Sequence, residues 1–141
     1  MEPQGKPIAY RRSKYAIHWQ DQGQEDDTGG FSQDLVLLEK PPSNVITWTV
    51  RSKGLVFYPQ PPLTAAEIAE GAFQFENAIN SIAVYHATQR NNIQGGKSYK
   101  SGKAFHLYRI QAIDASGKAV WCQQEIQVDQ NGDCTWTWTI P

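Results

Sequence analysis

Residues 104–141 constrain the fold most, because two tetrapeptides of one type divide this stretch into three segments. They are Asp114-Ala115-Ser116-Gly117 and Asp129-Gln130-Asn131-Gly132. Each begins with Asp, which favours the first position of a type I turn. Each ends with Gly, which accepts the left-handed conformation that completes a G1 bulge. The sequence therefore predicts a three-stranded antiparallel meander joined by two bulged turns.

The second turn also predicts which residues pair in the last two strands. With a bulged turn, the expected pairs are Val128 with Cys134, Ile126 with Trp136, Gln124 with Trp138 and Cys122 with Ile140. A two-residue Asn-Gly turn is the competing interpretation, and it would place Glu125 and Gln127 beside tryptophans. A slip of one residue exchanges the two faces of a strand, so this mixture argues against the shorter turn. We therefore predict the bulged register, with both tryptophans on the core face.

The same geometry at the first turn predicts the pairs Ala112 with Val120, Tyr108 with Gln124 and His106 with Ile126. It thereby assigns the rest of the meander to two faces. The predicted core face contains His106, Tyr108, Ile110, Val120, Cys122, Ile126, Val128, Trp136, Trp138 and Ile140. The opposite face, called the contact face below, is predicted to contain Phe105, Leu107, Arg109, Trp121, Gln123 and Glu125. Aromatic and arginine side chains commonly anchor protein interfaces. We therefore expect the contact face to bind a protein partner or a second copy of the chain, unless a helix or an N-terminal strand covers it.

One helix is predicted, after a proline-rich connector at residues 59–62. Thr64 and Glu67 have the spacing of a capping box, which satisfies free amides of the first helical turn. Apolar side chains then recur on one stripe: Ile68, Ala72, Phe75, Ile79, Ile82 and His86. Burying the four large ones contributes about 6–12 kcal/mol before entropy is subtracted, whereas Gly71 opposes the helix by about 1 kcal/mol. We therefore predict a helix over about residues 65–89, packed on one face of the sheet.

Four earlier segments have strand patterns: residues 15–20, 31–39, 45–50 and 55–58. Leu35-Val36-Leu37-Leu38 is apolar on both faces, which is typical of a strand covered on both sides. The last two segments are predicted to form a hairpin that turns at Gly54. The predicted fold class is α+β, with an antiparallel sheet of about six to seven strands and one long helix. Residues 1–12 are predicted to be flexible and residues 13–141 to form a single domain.

Composition and cysteine spacing predict a compartment and argue against several functions. The formal net charge of −1 gives no general attraction to nucleic acid or to membranes. No apolar run has the length of a signal peptide core or a membrane span. In the predicted register Cys122 and Cys134 lie roughly 20 Å apart, beyond disulfide reach, and their spacing fits no common metal site. We therefore expect a cytoplasmic protein with reduced thiols, no cofactor, no metal and no membrane partner.

A basic loop offers a second function. It contains Arg90, Lys97, Tyr99, Lys100 and Lys103. The cations would hold phosphates while Tyr99 stacked on a base. Gly95-Gly96-Lys97-Ser98 matches the end of a phosphate-binding P-loop, but Asn91 stands where the pattern requires Gly, and the loop follows a predicted helix. We therefore retain nucleic-acid or phosphate binding through residues 90–103 as an alternative and reject nucleotide hydrolysis.

Two histidines offer a third function. His86 on the helix stripe and His106 on the core face would meet if the helix covered that face, as a hydrolase or transferase would need. A buried, hydrogen-bonded pair is the structural alternative. No serine or cysteine has the sequence context of a known nucleophile. The sequence therefore favours a non-enzymatic binding or assembly module.

Overall fold

Antiparallel strands dominate the computed structural model. It describes residues 8–21, 30–88, 92–94, 97–99 and 102–141. The chain divides into two compact units, Met1–Pro42 and Ser43–Pro141. The described residues form five small antiparallel sheets, and their helical content is one five-residue α-helix and one three-residue 3-10 turn. The predicted α+β class with a single large sheet and a long helix is therefore wrong.

The first unit contains one three-stranded meander. Its strands are β1 (Ile8–Arg11), β2 (Tyr15–Asp21) and β3 (Phe31–Leu37), in the order β1-β2-β3. Ala16 and Ile17 of β2 are buried. The apolar run of β3 is not buried on both faces, because Val36 and Leu37 are exposed. The prediction of a strand covered on both faces is therefore wrong for β3.

The second unit contains the remaining described elements. They are β4 (Val45–Arg51), β5 (Leu55–Gln60), α1 (Ala65–Ala69), the 3-10 turn Glu76–Ala78, β6 (Ser81–His86), β7 (Asn92–Gln94), β8 (Lys97–Tyr99), β9 (Lys103–Leu107), β10 (Gln111–Ile113), β11 (Ala119–Trp121), β12 (Gln123–Val128) and β13 (Asp133–Thr139). Two three-stranded sheets have the orders β12-β13-β4 and β5-β6-β9, while β7-β8 and β10-β11 are two-stranded.

The hairpin β12–β13 has the predicted register. Its pairs are Val128 with Cys134, Gln127 with Thr135, Ile126 with Trp136, Glu125 with Thr137, Gln124 with Trp138 and Gln123 with Thr139. Gly132 has φ 83° and its amide donates to the carbonyl of Asp129 at 3.2 Å. The Asp129 amide in turn donates to the carbonyl of Asp133 at 2.9 Å. A type I turn with a G1 bulge therefore closes this hairpin, as the sequence predicted.

Three tryptophans hold the β12-β13-β4 sheet together on one face. Trp136 lies directly opposite Trp48 of β4. The Trp138 ring centroid lies 5.1 Å from that of Trp48 and 4.9 Å from that of Trp136. Trp138 is buried and Thr135 across the sheet is exposed. Both C-terminal tryptophans therefore lie on the less exposed face, as predicted from the turn.

The first bulged turn also forms, but the meander does not continue beyond it. Ala112 pairs with Val120 as predicted, and Gly117 has φ 87°. The predicted strand over residues 104–113 is interrupted, however, after Leu107. Its first half, β9, pairs with β6 instead of continuing beside β12. The predicted pairs of His106 with Ile126 and of Tyr108 with Gln124 are therefore absent from the strand ladders.

The predicted hairpin between residues 45–50 and 55–58 is also wrong. Gly54 does turn the chain, with φ 75°, but β4 pairs with β13 and β5 pairs with β6. The bend at Gly54 therefore leads from one sheet into the next. In the observed pairing β4 satisfies one edge of β13 and β5 satisfies one edge of β6.

Helix α1 begins as predicted and ends twenty residues early. The Thr64 hydroxyl accepts from the Glu67 amide at 3.3 Å, and the Glu67 carboxylate accepts from the Thr64 amide at 2.7 Å, which completes the capping box. Gly71, at φ 92°, then ends the helix: its amide donates to Ile68 and the amide of Ala72 donates to Glu67. These two bonds define a Schellman motif.

No helix in the described part of the chain is long and apolar enough to cross a membrane.

The residues assigned to the second half of the helix form β6, the most buried strand of the second unit. Ser81, Ile82, Ala83 and Val84 are all buried. A strand buried on both faces shows no polar alternation, so its apolar run also satisfies a helical spacing. The helical interpretation of residues 72–89 fails for this reason.

Gly71→Ala is expected to lower the free energy of unfolding by about 1–2 kcal/mol, because alanine strains the left-handed backbone. A continuous helix would give the opposite sign, a gain of about 1 kcal/mol. Urea denaturation measures the difference. Gly30→Ala is the matched control, because an added Cβ there meets nothing within 4 Å and the backbone is not left-handed. Stabilisation by Gly71→Ala would contradict the observed helix end.

Candidate functional site

The members of the predicted contact face that lie on strands are divided among three sheets. Phe105 and Leu107 lie on β9, whereas Gln123 and Glu125 lie on β12. Trp121 ends β11, beside the start of β12. The structure therefore brings part of the predicted set together at each of two places, which are described separately below.

Arg109 and Trp121 do come together, and they share a third partner. The Arg109 guanidinium carbon lies 4.6 Å from the centre of the Trp121 ring, a cation–π contact. The Trp121 indole donates to the Glu76 carboxylate at 2.8 Å. The Arg109 amide donates to the carbonyl of Asn77 at 2.9 Å. The 3-10 turn is therefore bonded to the Trp121 side chain and to the Arg109 backbone, an arrangement that the predicted helix does not contain.

Two phenylalanines next to this turn are mostly exposed. Phe73 is 78% exposed and Phe75 is 69% exposed. Their rings contact each other edge to face, with centroids 5.1 Å apart and planes at 85°. Both lie after Gly71, so the end of the helix decides their exposure. The sequence prediction placed Phe75 in a buried helix stripe and did not identify Phe73. Gly71 was the signal that could have revealed both.

Gln123 and Glu125 line a polar recess of about 300 Å³. Its lining residues are Asn80, Gln123, Gln124, Glu125, Thr137 and Thr139. These side chains carry amides, hydroxyls and one carboxylate, without a cation or a large apolar group. The sequence placed Gln123 and Glu125 on one face, but Asn80 could not be predicted because it comes from the presumed helix.

Gln124 connects Asn80 to the β12–β13 hairpin. Its Nε2 donates to the carbonyls of Asn80 and Tyr108, each at 3.1 Å. Its Oε1 accepts from the Trp136 indole at 3.0 Å. Asn80 is left-handed, with φ 58°, and its amide donates to the carbonyl of Gln60 at 2.7 Å. Backbone and side-chain bonds therefore fix the position of Asn80 opposite β12.

His106 binds a serine, but the polarity of the pair is wrong for nucleophilic catalysis. The buried Ser81 hydroxyl donates to the carbonyl of Ala78 at 2.6 Å. A hydroxyl has one hydrogen, so the 2.7 Å contact with His106 Nε2 requires the imidazole to donate. A general base must instead accept the serine proton. The pair is therefore arranged as a structural bond.

The two histidines of the enzymatic hypothesis do not meet. His106 pairs with Ala83, and His86 lies three positions further along β6. That spacing corresponds to about 10 Å along a strand. His86 is exposed and His106 is half-buried. A joint active site of these two residues has no geometric support.

The structure describes the side chains of few residues in the predicted basic loop. Arg90 and Lys100 lie outside the described residues, and the backbone around Lys97 and Tyr99 forms the hairpin β7–β8, where a loop was predicted. Lys103 is exposed at the start of β9. Nucleic-acid or phosphate binding by this segment stays a prediction.

Ligands for a metal do not converge in the described part of the chain, which has no group of three or more His, Cys, Asp or Glu side chains able to hold an ion. Cys122 and Cys134 are buried free thiols. Burial raises the pKa of Cys122, which disfavours its reactive thiolate form.

No family model, curated protein or solved structure matches this chain. The assignment of function therefore depends on the chemistry and geometry of its own residues.

Burial lowers the pKa of His106 below its ordinary value of 6.5, and the charge of Lys103 lowers it further. The unfolded chain therefore takes up the proton first as the pH falls below about 6.5, and the free energy of unfolding decreases until His106 is also protonated in the folded state. NMR titration of His106 checks the direction. We expect Lys103→Gln to raise this pKa without restoring its ordinary value, because burial is the larger cause.

Lys118→Gln is the control, since Lys118 is an exposed residue of the first bulged turn. A wild-type His106 pKa at or above 6.5, or an equal response to the two lysine variants, would contradict the assigned environment.

Proposed function

We propose that this chain is a cytoplasmic, non-enzymatic binding or assembly module that associates with a protein partner or with a second copy of itself. Its contact surface is the aromatic patch, defined as Phe73, Phe75, Glu76, Arg109 and Trp121. The observation that carries the proposal is the exposure of Phe73 and Phe75, 78% and 69%, next in the chain to Glu76, whose carboxylate accepts from the Trp121 indole. Contiguous exposed apolar groups with polar neighbours are typical of interaction sites.

The energy available from the two rings sets a condition on the interface. Burying each phenylalanine contributes about 1.5–3 kcal/mol, so the pair contributes about 3–6 kcal/mol. Association costs about 4–15 kcal/mol in lost translational and rotational freedom. Burial of Phe73 and Phe75 alone is therefore not sufficient for stable association, and Arg109 and Trp121 must supply further contacts.

Arg109 and Trp121 suit that role because their positions are fixed before a partner arrives. The Glu76 carboxylate holds the indole, and the guanidinium lies over the same ring. Side chains that are already ordered lose less entropy on binding. Tryptophan and arginine are also enriched among the residues that contribute most to binding energy. Two members of the predicted contact face, Arg109 and Trp121, are retained in the aromatic patch.

The geometry around the histidines supports a non-enzymatic role over the hydrolase or transferase alternative. The Ser81 hydroxyl already donates to a carbonyl and lies in the core. His86 and His106 lie at separate positions of their sheet. Neither arrangement supplies an activated nucleophile.

The double variant Phe73→Ser with Phe75→Ser is expected to weaken association at least tenfold, because it removes about 3–6 kcal/mol of apolar burial. Analytical ultracentrifugation from about 1 µM to about 1 mM measures self-association, since a millimolar Kd corresponds to about −4 kcal/mol. Affinity capture on the immobilised wild-type chain measures association with another protein.

Phe31→Ser is the matched control, because Phe31 is 72% exposed but lies in β3 of the first unit. Two negative results together would contradict the proposal. They are a wild-type chain that stays monomeric throughout the concentration range, and the absence of any captured protein that binds the control but not the double variant. Equal loss of association in the control and the double variant would assign the effect to general surface apolarity and would also contradict it.

A further inference from the structure

We propose that the polar recess between Asn80 and the β12–β13 hairpin binds a neutral carbohydrate through one sugar unit. This site is separate from the aromatic patch, and its ligand is additional to the proposed protein partner. The volume of about 300 Å³ lies at the lower end of the range of small-molecule sites, roughly 300–1,000 Å³. The ligand group that enters is therefore small.

The lining chemistry selects for hydroxyl groups. Side-chain amides and threonine hydroxyls can each donate and accept hydrogen bonds, as sugar hydroxyls can. The Glu125 carboxylate accepts from Gln127 Nε2 at 3.2 Å through one oxygen, Oε1. Among the described residues, no hydrogen bond occupies the side chains of Asn80, Gln123, Thr137 or Thr139. Several donors and acceptors in the recess are therefore available to a ligand.

The same lining argues against the other ligand classes. An anion would meet Glu125 without a compensating cation in the recess. A hard cation such as Ca²⁺ requires six to eight oxygen ligands, normally including several carboxylates, and only one carboxylate is present. An apolar ligand would leave the amides and hydroxyls without partners, at a cost of about 1–3 kcal/mol each. A neutral polyhydroxylated ligand avoids all three penalties.

The recess is also ordered in advance. Gln123 lies directly opposite Thr139, and Glu125 lies directly opposite Thr137. Such cross-strand neighbours are separated by about 4.5–5.5 Å between Cβ atoms, so both side chains of each pair can contact the same small ligand group. Asn80, which also lines the recess, is held in place by the Gln60 carbonyl and the Gln124 amide. Binding therefore requires little backbone rearrangement, which favours affinity.

Two-dimensional NMR of the whole chain tests the site with defined probes. The probes are neutral oligosaccharides of glucose, mannose, galactose, xylose and N-acetylglucosamine, with heparin and spermidine as the anionic and cationic comparisons. We expect at least one neutral probe, at up to about 10 mM, to shift the amides of residues 80, 123–125 and 137–139 in a saturable manner. The absence of shifts with every neutral probe, or saturable shifts only with a charged probe, would overturn the proposal.

The double variant Thr137→Val with Thr139→Val is expected to weaken binding of that probe at least tenfold, because it removes two hydroxyls while keeping side-chain shape and strand propensity. Thr49→Val with Thr135→Val is the matched control, since this cross-strand pair lies in the same sheet outside the recess. The control is expected to bind within about twofold of the wild type. Equal weakening in both double variants would overturn the site assignment.

Glu125→Gln identifies the charge of the ligand. A neutral sugar loses one charge-assisted hydrogen bond, so we expect weaker but measurable binding that does not depend on salt. Complete loss of binding together with a strong salt dependence would identify a cationic ligand and overturn the proposal. Because Phe73 and Phe75 are unchanged in all these variants, failure here leaves the proposed protein association to its own test.

Discussion

Strand β6 requires a hydrogen-bonded neighbour on each edge, and this requirement organises the second unit. Its residues from Ser81 to Val84 are buried, so their backbone amides and carbonyls cannot be satisfied by water. An unpaired buried polar group costs about 1–3 kcal/mol, which exceeds the stabilisation of about 0.2–1 kcal/mol from one cross-strand pair in a local hairpin. Strand β5 therefore pairs with β6 and not with β4, and β9 pairs with the other edge of β6 and not with the C-terminal meander.

The same rearrangement creates both candidate sites. Where the chain departs from the meander after β9, the carbonyl of Tyr108 has no strand partner, and the Gln124 amide binds it at 3.1 Å. That amide also binds the carbonyl of Asn80, which lines the recess. The segment between Gly71 and β6 contains Phe73, Phe75 and Glu76, and the Glu76 carboxylate binds the Trp121 indole that Arg109 contacts. The two sites are therefore consequences of the long-range pairing of one buried strand.

Local signals were informative wherever a short sequence fixes its own backbone. Gly117 and Gly132 were predicted to end bulged turns, and both have the required left-handed conformation. The pairing of Gln124 with Trp138 followed from the second turn and is confirmed. The capping box of Thr64 and Glu67 is also confirmed, although it begins a helix of only five residues. Gly71 opposes a helix by about 1 kcal/mol, and in the sequence analysis this was set against the larger burial energy of the apolar stripe. That burial energy, however, depended on the helix being formed.

The candidate sites were predictable only in part, for the same reason. Arg109 and Trp121 were assigned to one surface and do lie together, whereas Phe105 and Leu107 belong to another sheet. Glu76, Phe73 and Asn80 were missed because the presumed helix gave them other positions. The pattern that misled was apolar residues at helical spacing, which a strand buried on both faces satisfies equally well.

The sequence by itself determined the two bulged turns, the start of the short helix and the register of β12 with β13. These depend on the φ preference of glycine, on side-chain caps within three residues and on the alternation of a single hairpin. Only the tertiary structure decided that residues 81–86 form a strand, which strands flank it, and which side chains the recess and the aromatic patch receive. Those outcomes depend on satisfying buried backbone groups with partners distant in the chain, and no local pattern specifies the identity of such partners.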